Sequence, residues 1–435
     1  MRALLRVLCI ATVIGWAATA VAQEKAFDFQ LHGFVTGSVF AQDAKLGASY
    51  GQDALFVSGI QPTQDRLILS GDVRQTRLNF SVRGPKVFTD FTPTGIVEID
   101  FFGGDSAGAR GAQSVYPRLR LAIVRIASKS LTVDVGQDNV LLVAQIPQSM
   151  SHIAFPWSYA AGTIGWRWPG LRVGYNADLG DGMTLNLAAE LRRGAWNDNG
   201  GFPVSFRTTC GAVPAGGGTP TCTTTGVNGS GLTPSVGEAG FPMVEARAML
   251  TLKSPFAISA YLVGHYDTKD LSGFGDTFTG TKRDTMDSYA GEVGFRIAPG
   301  DFVLAGNAWA GLNMGHMLGH ALQFNNTGNV HGIGGWIQAG YNVSKEFSAW
   351  VGTGIDAPAG SYKEFFDTGF TRIQNNIGSL MLRYADGPYA CGVEFFHWWT
   401  KVRTYASATV TAAAAAAGSG TAEGNQLIFS AHYSF

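Results

Sequence analysis

Gln426-Leu427-Ile428-Phe429-Ser430-Ala431-His432-Tyr433-Ser434-Phe435 alternates with a period of two. Leu427, Phe429, Ala431, Tyr433 and Phe435 fall on one edge, and Gln426, Ser430, His432 and Ser434 on the other. Successive side chains of a strand point to opposite faces, so this segment is a strand with one apolar and one mostly polar face, ended by an aromatic ring. Lipid on one side and water on the other is the setting that wants this pattern over a full strand. Half-buried strands of soluble sandwiches alternate too, so the rest of the chain has to discriminate.

The other end carries an address. Arg2 and Arg6 precede the apolar Val7–Ala20 stretch, and Ala20-Val21-Ala22 reads as a small-residue cleavage site. A transmembrane anchor is the competing reading, but the stretch is shorter than the roughly 20 apolar residues a spanning helix needs. Residues 1–22 are expected to be a removed signal peptide, and 23–435 one continuous barrel.

Of 435 residues, 58 are glycine and 14% are charged, against roughly 25% charged in an average soluble domain. Past Ala22 no run of about 18 apolar residues occurs, which excludes helical spans. A closed sheet crosses a bilayer without such a helix, because backbone donors and acceptors are satisfied between strands. The net charge of −1 gives no sign of a nucleic-acid partner. Cys210 and Cys222 flank a Gly-, Thr- and Pro-rich stretch and are expected to form a disulfide, two free thiols being the alternative. Cys391 is in phase with Val393 and Phe395 and is expected to face lipid.

An outer-membrane barrel alternates short turns at one end with longer loops at the other. That rule organises the chain into Phe27–Phe40, Asp72–Arg83, Thr94–Phe102, Pro117–Ala127, Leu131–Gly136, Thr163–Asn176, Met183–Arg193 and Pro242–Lys253, then Phe256–Asp267, Asp287–Ala298, Asp301–Leu312, Gly332–Val343, Glu346–Asp356, Arg372–Ala385, Tyr389–Thr400 and Gln426–Phe435. Keeping Thr163–Asn176 as one strand requires a bulge at Pro169-Gly170. A hairpin turn there would put the long Gly194–Phe241 segment at the short-turn end. The expected fold is all-β, a 16-stranded antiparallel transmembrane β-barrel with an inward-folded third loop. The eighth loop holds the low-complexity run Ala412–Ala417, a short helix or disorder with no chemistry in it.

A barrel of this size leaves an aqueous channel, so function lives in its inward residues. Leu78, Phe80 and Val82 facing lipid leave Arg77, Asn79, Ser81 and Arg83 inward, and Leu119, Leu121 and Ile123 facing lipid leave Arg118 and Arg120 inward. The same phasing adds Arg172 and Arg192, and Arg167 if Ile164, Trp166 and Trp168 face lipid. Glu98, Asp100 and Asp134 are inward acids. Arg74 is expected at the rim, and Arg125, on the lipid phase, as an interfacial anchor. Guanidinium groups stay charged and grip carboxylates in a fork, so the seven arginines form a positive wall facing Glu98, Asp100 and the third loop. A merely wet interior with no preference is the alternative. Gln137–Gly162 carries Leu141, Leu142, Val143, Ile146, Ile153, Phe155, Trp157 and Tyr159, too apolar to lie in water, so it is expected to fold in and narrow the channel, packing between subunits being the other explanation.

Arg74-Gln75-Thr76-Arg77-Leu78, Glu98-Ile99-Asp100-Phe101-Phe102-Gly103, Arg118-Leu119-Arg120 and Val135-Gly136-Gln137 before Trp166–Tyr175 carry a resemblance. The chain resembles the sixteen-stranded trimeric porins of Gram-negative outer membranes and, more narrowly, the dicarboxylate porins of the DcaP type. The likeness is strongest over the N-terminal 180 residues. It implies a homotrimer in outer-membrane lipid whose arginine-lined constriction passes small carboxylates. Gly291, Gly294, Gly306 and Gly311 would give flat outer surfaces for the trimer. The apolar third loop and the Cys-bearing fourth loop depart from that family's pattern.

A barrel hydrolase is a competing class, but it needs a nucleophile beside a base and an orienting group, and the eight histidines are scattered. His316, His320 and His331 share a loop without companion carboxylates, so no metal and no cofactor is expected. Asp267, Asp270, Asp276, Asp284 and Asp287 crowd the fifth loop, where calcium or plain solvation would serve. A receptor or adhesin barrel is the third class, favoured only if the pore is plugged.

Overall fold

Alternation converts into sixteen antiparallel barrel strands: β1 Asp28–Gln42, β2 in two pieces Ile68–Asp72 and Arg77–Arg83, β3 Thr92–Asp100, β4 Arg118–Ala127, β5 Leu131–Asn139, β6 Arg167–Gly180, β7 Met183–Arg192, β8 Met243–Leu252, β9 Ala257–Asp270, β10 Thr285–Ala298, β11 Phe302–Leu312, β12 His331–Asn342, β13 Phe347–Ala359, β14 Phe370–Asp386, β15 Tyr389–Thr404 and β16 Gly418–Ser434. This is a computed structural model, and it describes residues 27–44, 46–47, 51–57, 67–103, 116–193, 203–210, 222–228, 241–253, 255–270, 285–321, 329–359, 370–404 and 418–435. The expected leader, the Ala412–Ala417 run and Asp276 and Asp284 lie outside the described residues.

Each strand pairs with the next in the chain, and the sheet closes because one edge of β1 pairs with β16 while the other takes both pieces of β2. Phe34–Gln42 runs against Gln426–Ser434, so the C-terminal strand read from sequence is the closing strand. Closure leaves no edge strand, which is what a sheet in hydrocarbon requires. Phe80, Val97, Leu119, Val135, Leu171, Val351, Val393, Phe395, Phe429 and Tyr433 are exposed on the outer face, where lipid would cover them. The short-turn ends use residues that tolerate φ above zero, Gly300 at +59° and Gly387 at +54° among them.

Two local departures from strict alternation matter for the interior. β2 breaks at Val73–Thr76, where the Asp72 carboxylate accepts the Arg74 amide at 2.9 Å and the Val73 carbonyl accepts the Thr76 amide at 3.1 Å. β4 carries a bulge: Glu98 pairs with Leu121 while Ile99 pairs with Leu119, leaving Arg120 as the extra residue. The Gln137 side-chain amide caps the carbonyls of Leu119 and Arg120 there, at 3.2 and 3.1 Å. By contrast, β6 runs through Pro169-Gly170 in unbroken register with β5 and β7, so the expected bulge is absent. Its proline is tolerated near the long-loop end, where the strand begins. Of the four glycines expected on the outer surface, Gly291 and Gly306 face out, whereas a Cβ at Gly294 would run into the Tyr261 ring and one at Gly311 would meet Met314, inside the barrel.

Candidate functional site

β3 lies between β2 and β4, so its inward acids stand level with arginines on both sides. Arg118 grips Asp100 in a fork, Nε to Oδ1 at 2.9 Å and Nη2 to Oδ2 at 2.6 Å. Arg120, at the bulge, bridges Glu98 at 2.8 Å and Asp100 at 2.8 Å. Arg77 approaches Glu98 at 3.5 Å and lies over the Phe34 ring. Arg118 also faces Phe102, Phe155 and Trp166, and Arg167 stacks on the same Trp166 at 4.2 Å. Three guanidinium groups, Arg77, Arg118 and Arg120, thus share two carboxylates, and with Arg167 beside them on Trp166 the group holds an excess of two positive charges. The acids sit within the arginine row rather than across from it, because neighbouring strands share register.

A second group is balanced. Arg172 binds Glu190 at 2.7 Å and Asp138 at 2.8 Å, while Arg192 binds Glu190 at 2.9 Å and donates to the Gly136 and Trp168 carbonyls. Asp134 takes neither of these: it is forked by Arg125, both contacts at 2.7 Å. Arg125 is therefore an inward residue and not an interfacial anchor, since the β4 bulge reverses the phase beyond Arg120. Ile123 turns inward with it and is 5% exposed, while Val124 faces out. Arg83 stands apart, exposed at the short-turn end of β2 opposite Asp28 and Thr94. Ile164 and Trp168 are buried, so they do not face lipid. Arg74 is held by Asp72 at 2.7 Å over the Phe102 ring.

The third loop, residues 140–166, is hydrogen-bonded to strands far round the barrel. Glu190 accepts the Leu141 amide at 2.9 Å, Glu245 on β8 the Leu142 amide at 3.0 Å, and Gln338 on β12 exchanges two bonds of 2.8 Å with the Gln148 backbone. Glu394 on β15 accepts the Ser149 hydroxyl at 2.8 Å and the amides of Met150 at 3.1 Å and Ser151 at 2.6 Å. Gln75, aimed by the break in β2, accepts the Ala154 amide at 2.9 Å, and Asn375 on β14 donates to the Ala160 carbonyl at 2.8 Å. Backbone approaches are close enough that a Cβ on Gly162, at φ +121°, would strike Gly335 of β12. Buried with the loop are Trp157, Trp336, Ile377, Phe396 and Trp398 on one side and Leu141, Leu142, Ile164, Tyr261, Trp309 and Met314 on another.

The anchors Gln75, Glu245, Gln338 and Glu394 were missed as site residues by sequence reading. Glu394 had a signal, since Val393 and Phe395 facing out force it inward; Gln75 had none beyond its place beside Arg74. Cys210 and Cys222 stand opposite each other as the ends of a small hairpin, Pro203–Cys210 with Cys222–Asn228, and their side chains lie outside the described residues. Cys391 keeps its lipid phase and is a free thiol.

No family model and no curated protein matches the chain. Solved structures do match. The outer membrane channel DcaP of Acinetobacter baumannii superposes with a TM-score of 0.63 at 15% identity, covering 94% of this chain and 98% of that one. An anion-selective porin from Comamonas acidovorans gives 0.52 at 12% identity, over 94% and 100%. OmpF of Salmonella typhi, in complex with daunomycin, gives 0.51 at 12%, over 94% and 97%. This chain has the fold of the outer-membrane porins. The porin fold is that of a multi-pass barrel of the bacterial outer membrane, in agreement with the apolar outer face. At such identities the likeness lies in the backbone path, and the inward side chains have to be read on their own.

Proposed function

We propose that the protein is an outer-membrane porin through which small hydrophilic solutes diffuse, with a preference for small organic anions such as carboxylates. The excess of two guanidinium groups over carboxylates around Glu98 and Asp100 carries this reading. Part of that wall is also the wetter one: the side chains of Arg77, Arg118 and Arg172 keep 16%, 12% and 18% of their exposure, while Arg120, Arg167 and Arg192 are buried, as are Glu245 and Glu394 on the far wall. The third loop narrows the path by holding to the far wall and presenting Phe155 beneath Arg118. An anion moving along successive forks, each already shared with an acid, is attracted at several weak sites, which permits entry without trapping.

Delivery by a leader cleaved after Ala22, a Cys210–Cys222 disulfide and assembly as a homotrimer complete the proposal. In-register opposition of the two cysteines supports the disulfide, and one similar structure, OmpT of Vibrio cholerae, was solved in a trimer form. A receptor or adhesin barrel is the second reading, favoured by the apolar packing of loops against the far wall. Single-channel recording separates the two, since a plugged receptor conducts nothing. Swelling of proteoliposomes in succinate against a diamine of equal length tests the preference: faster swelling with the dianion is expected, and equal rates would overturn it.

A further inference from the structure

At the long-loop end of β9, away from the arginine wall, stands a cluster that conduction does not use. His265 and Asp267 share the inward face of β9, and His316, in the 3-10 turn Met314–Met317, folds over them. One ligand atom from each lies within 4.8 Å of the other two, with His316 Nε2 3.4 Å from Asp267 Oδ2. The side chains of His265 and Asp267 are 0% exposed and that of His316 is 4% exposed. Sequence reading found no carboxylate for His316 because its companion lies on another hairpin.

The orientation of the rings is the second, independent observation. Glu245 Oε1 stands 2.8 Å from His265 Nδ1, and the Asn313 carbonyl 3.1 Å from His316 Nδ1. The Asn313 carbonyl can only accept, so His316 Nδ1 carries the proton, and with Glu245 ionised the same holds for His265 Nδ1, which leaves the Nε2 atoms as the ligand positions. His316 Nε2 faces Asp267. Within the cluster, His265 Nε2 and Asp267 Oδ1 are buried without a hydrogen-bond partner. A ligating histidine whose other ring nitrogen is held by a carboxylate or a carbonyl is the arrangement that orients metal sites. Imidazole with carboxylate suits zinc and its neighbours better than magnesium or calcium, and three protein ligands leave a fourth position for water.

We propose that His265, Asp267 and His316 bind one divalent transition-metal ion of the zinc type. Lys269 is the built-in competitor, since its Nζ bonds Asp267 Oδ2, and the ion takes the place of that ammonium on the carboxylate. Glu245 also accepts the Leu142 amide, so the ion would be one side chain away from the third loop.

The test uses the full chain folded in detergent, without a histidine tag, stripped with chelator and titrated calorimetrically with zinc chloride. One equivalent should bind with micromolar or tighter affinity, and cobalt(II) should develop visible absorption bands of nitrogen–oxygen ligation. His316→Ala, in a turn outside the sheet, should abolish stoichiometric binding, and Glu245→Gln should weaken it by about 10- to 100-fold. Lys269→Met should tighten it. Heat-modifiable electrophoretic mobility reports whether each variant is folded. Absence of zinc uptake by the wild-type chain, which needs no variant to fold, would overturn the proposal, and so would equal uptake by folded His316→Ala.

Discussion

Strands β2 to β7 turn Arg77, Arg118, Arg120, Arg172 and Arg192 inward, and strands β8 to β15 turn Glu245, Gln338, Asn375 and Glu394 inward, under the same alternation. On the first wall the polar groups mostly satisfy one another across neighbouring strands, and Arg77, Arg118 and Arg172 stay partly wet while Arg120 and Arg192 are buried. On the second they are spent on backbone amides and carbonyls of the third loop and are sealed. Alternation therefore settles which way a side chain points, and the loop settles whether it meets water. A barrel assembled this way has one charged wall and one covered wall, and under the proposed function the charged one sets the selectivity.

The covered wall is broken most severely at Glu394. Glu394→Ala leaves the buried Met150 and Ser151 amides and the Ser149 hydroxyl without their acceptor, and each such loss costs about 1–3 kcal/mol. A fall in unfolding free energy of about 3 kcal/mol or more is expected, with larger and noisier single-channel conductance. If both stayed at wild-type values, the loop would be held by other contacts and the contrast between walls would lose its cause.

The lipid phase of the wet wall comes next. Phe80→Arg puts a charge on the outer face and should cost about 2–4 kcal/mol near the midplane, whereas Asn79→Arg, one residue along and inward, should cost far less. Equal folding of the two would undo the assignment of β2.

These two tests bear on what could be read in advance. The strand count and the closing role of Gln426–Phe435 were legible because a period of two is local and repeats. Single-residue irregularities were not: the bulge at Arg120 reverses the phase of Ile123, Val124 and Arg125 without changing composition, and nothing in Val73–Thr76 announces a break. Apolar bulk marked the third loop as unusual, but its path needed contacts as remote in sequence as Ser151 with Glu394. The His265–Asp267–His316 grouping was invisible for the same reason.

A smaller effect sharpens the covered wall further. His152, in the third loop against Phe396, is fully enclosed, and burial pushes its imidazole down to about 3. The unfolded chain takes up a proton near pH 6.5 that the folded loop refuses, so this contribution is full above about pH 6.5 and is lost by roughly 1.4 kcal/mol per unit as pH falls toward 3. His152→Phe should flatten the difference in urea stability between about pH 4 and about pH 7 relative to wild type. Identical pH dependence in the two proteins would show that the ring is hydrated.

The smallest expected effect concerns the fourth loop, which joins the two walls between β7 and β8. Removal of the proposed leader would take Cys9 and leave three of the four cysteines. Thiol titration of the denatured processed protein should detect Cys391 alone before reduction and Cys210 and Cys222 as well after it. Three thiols before reduction would remove the disulfide while leaving the walls as they are.

The arginine wall as the source of selectivity is tested most directly by reversal potentials across planar bilayers in a salt gradient, for the wild type and for Arg118→Ala with Arg120→Ala. Anion preference is expected in the wild type, weakening as salt rises because exposed charges are screened over about 8 Å at physiological ionic strength. The double variant removes two guanidinium groups from around Glu98 and Asp100 and should lose that preference or turn to cations. An unchanged anion preference in the variant, or cation preference in the wild type, would contradict the account.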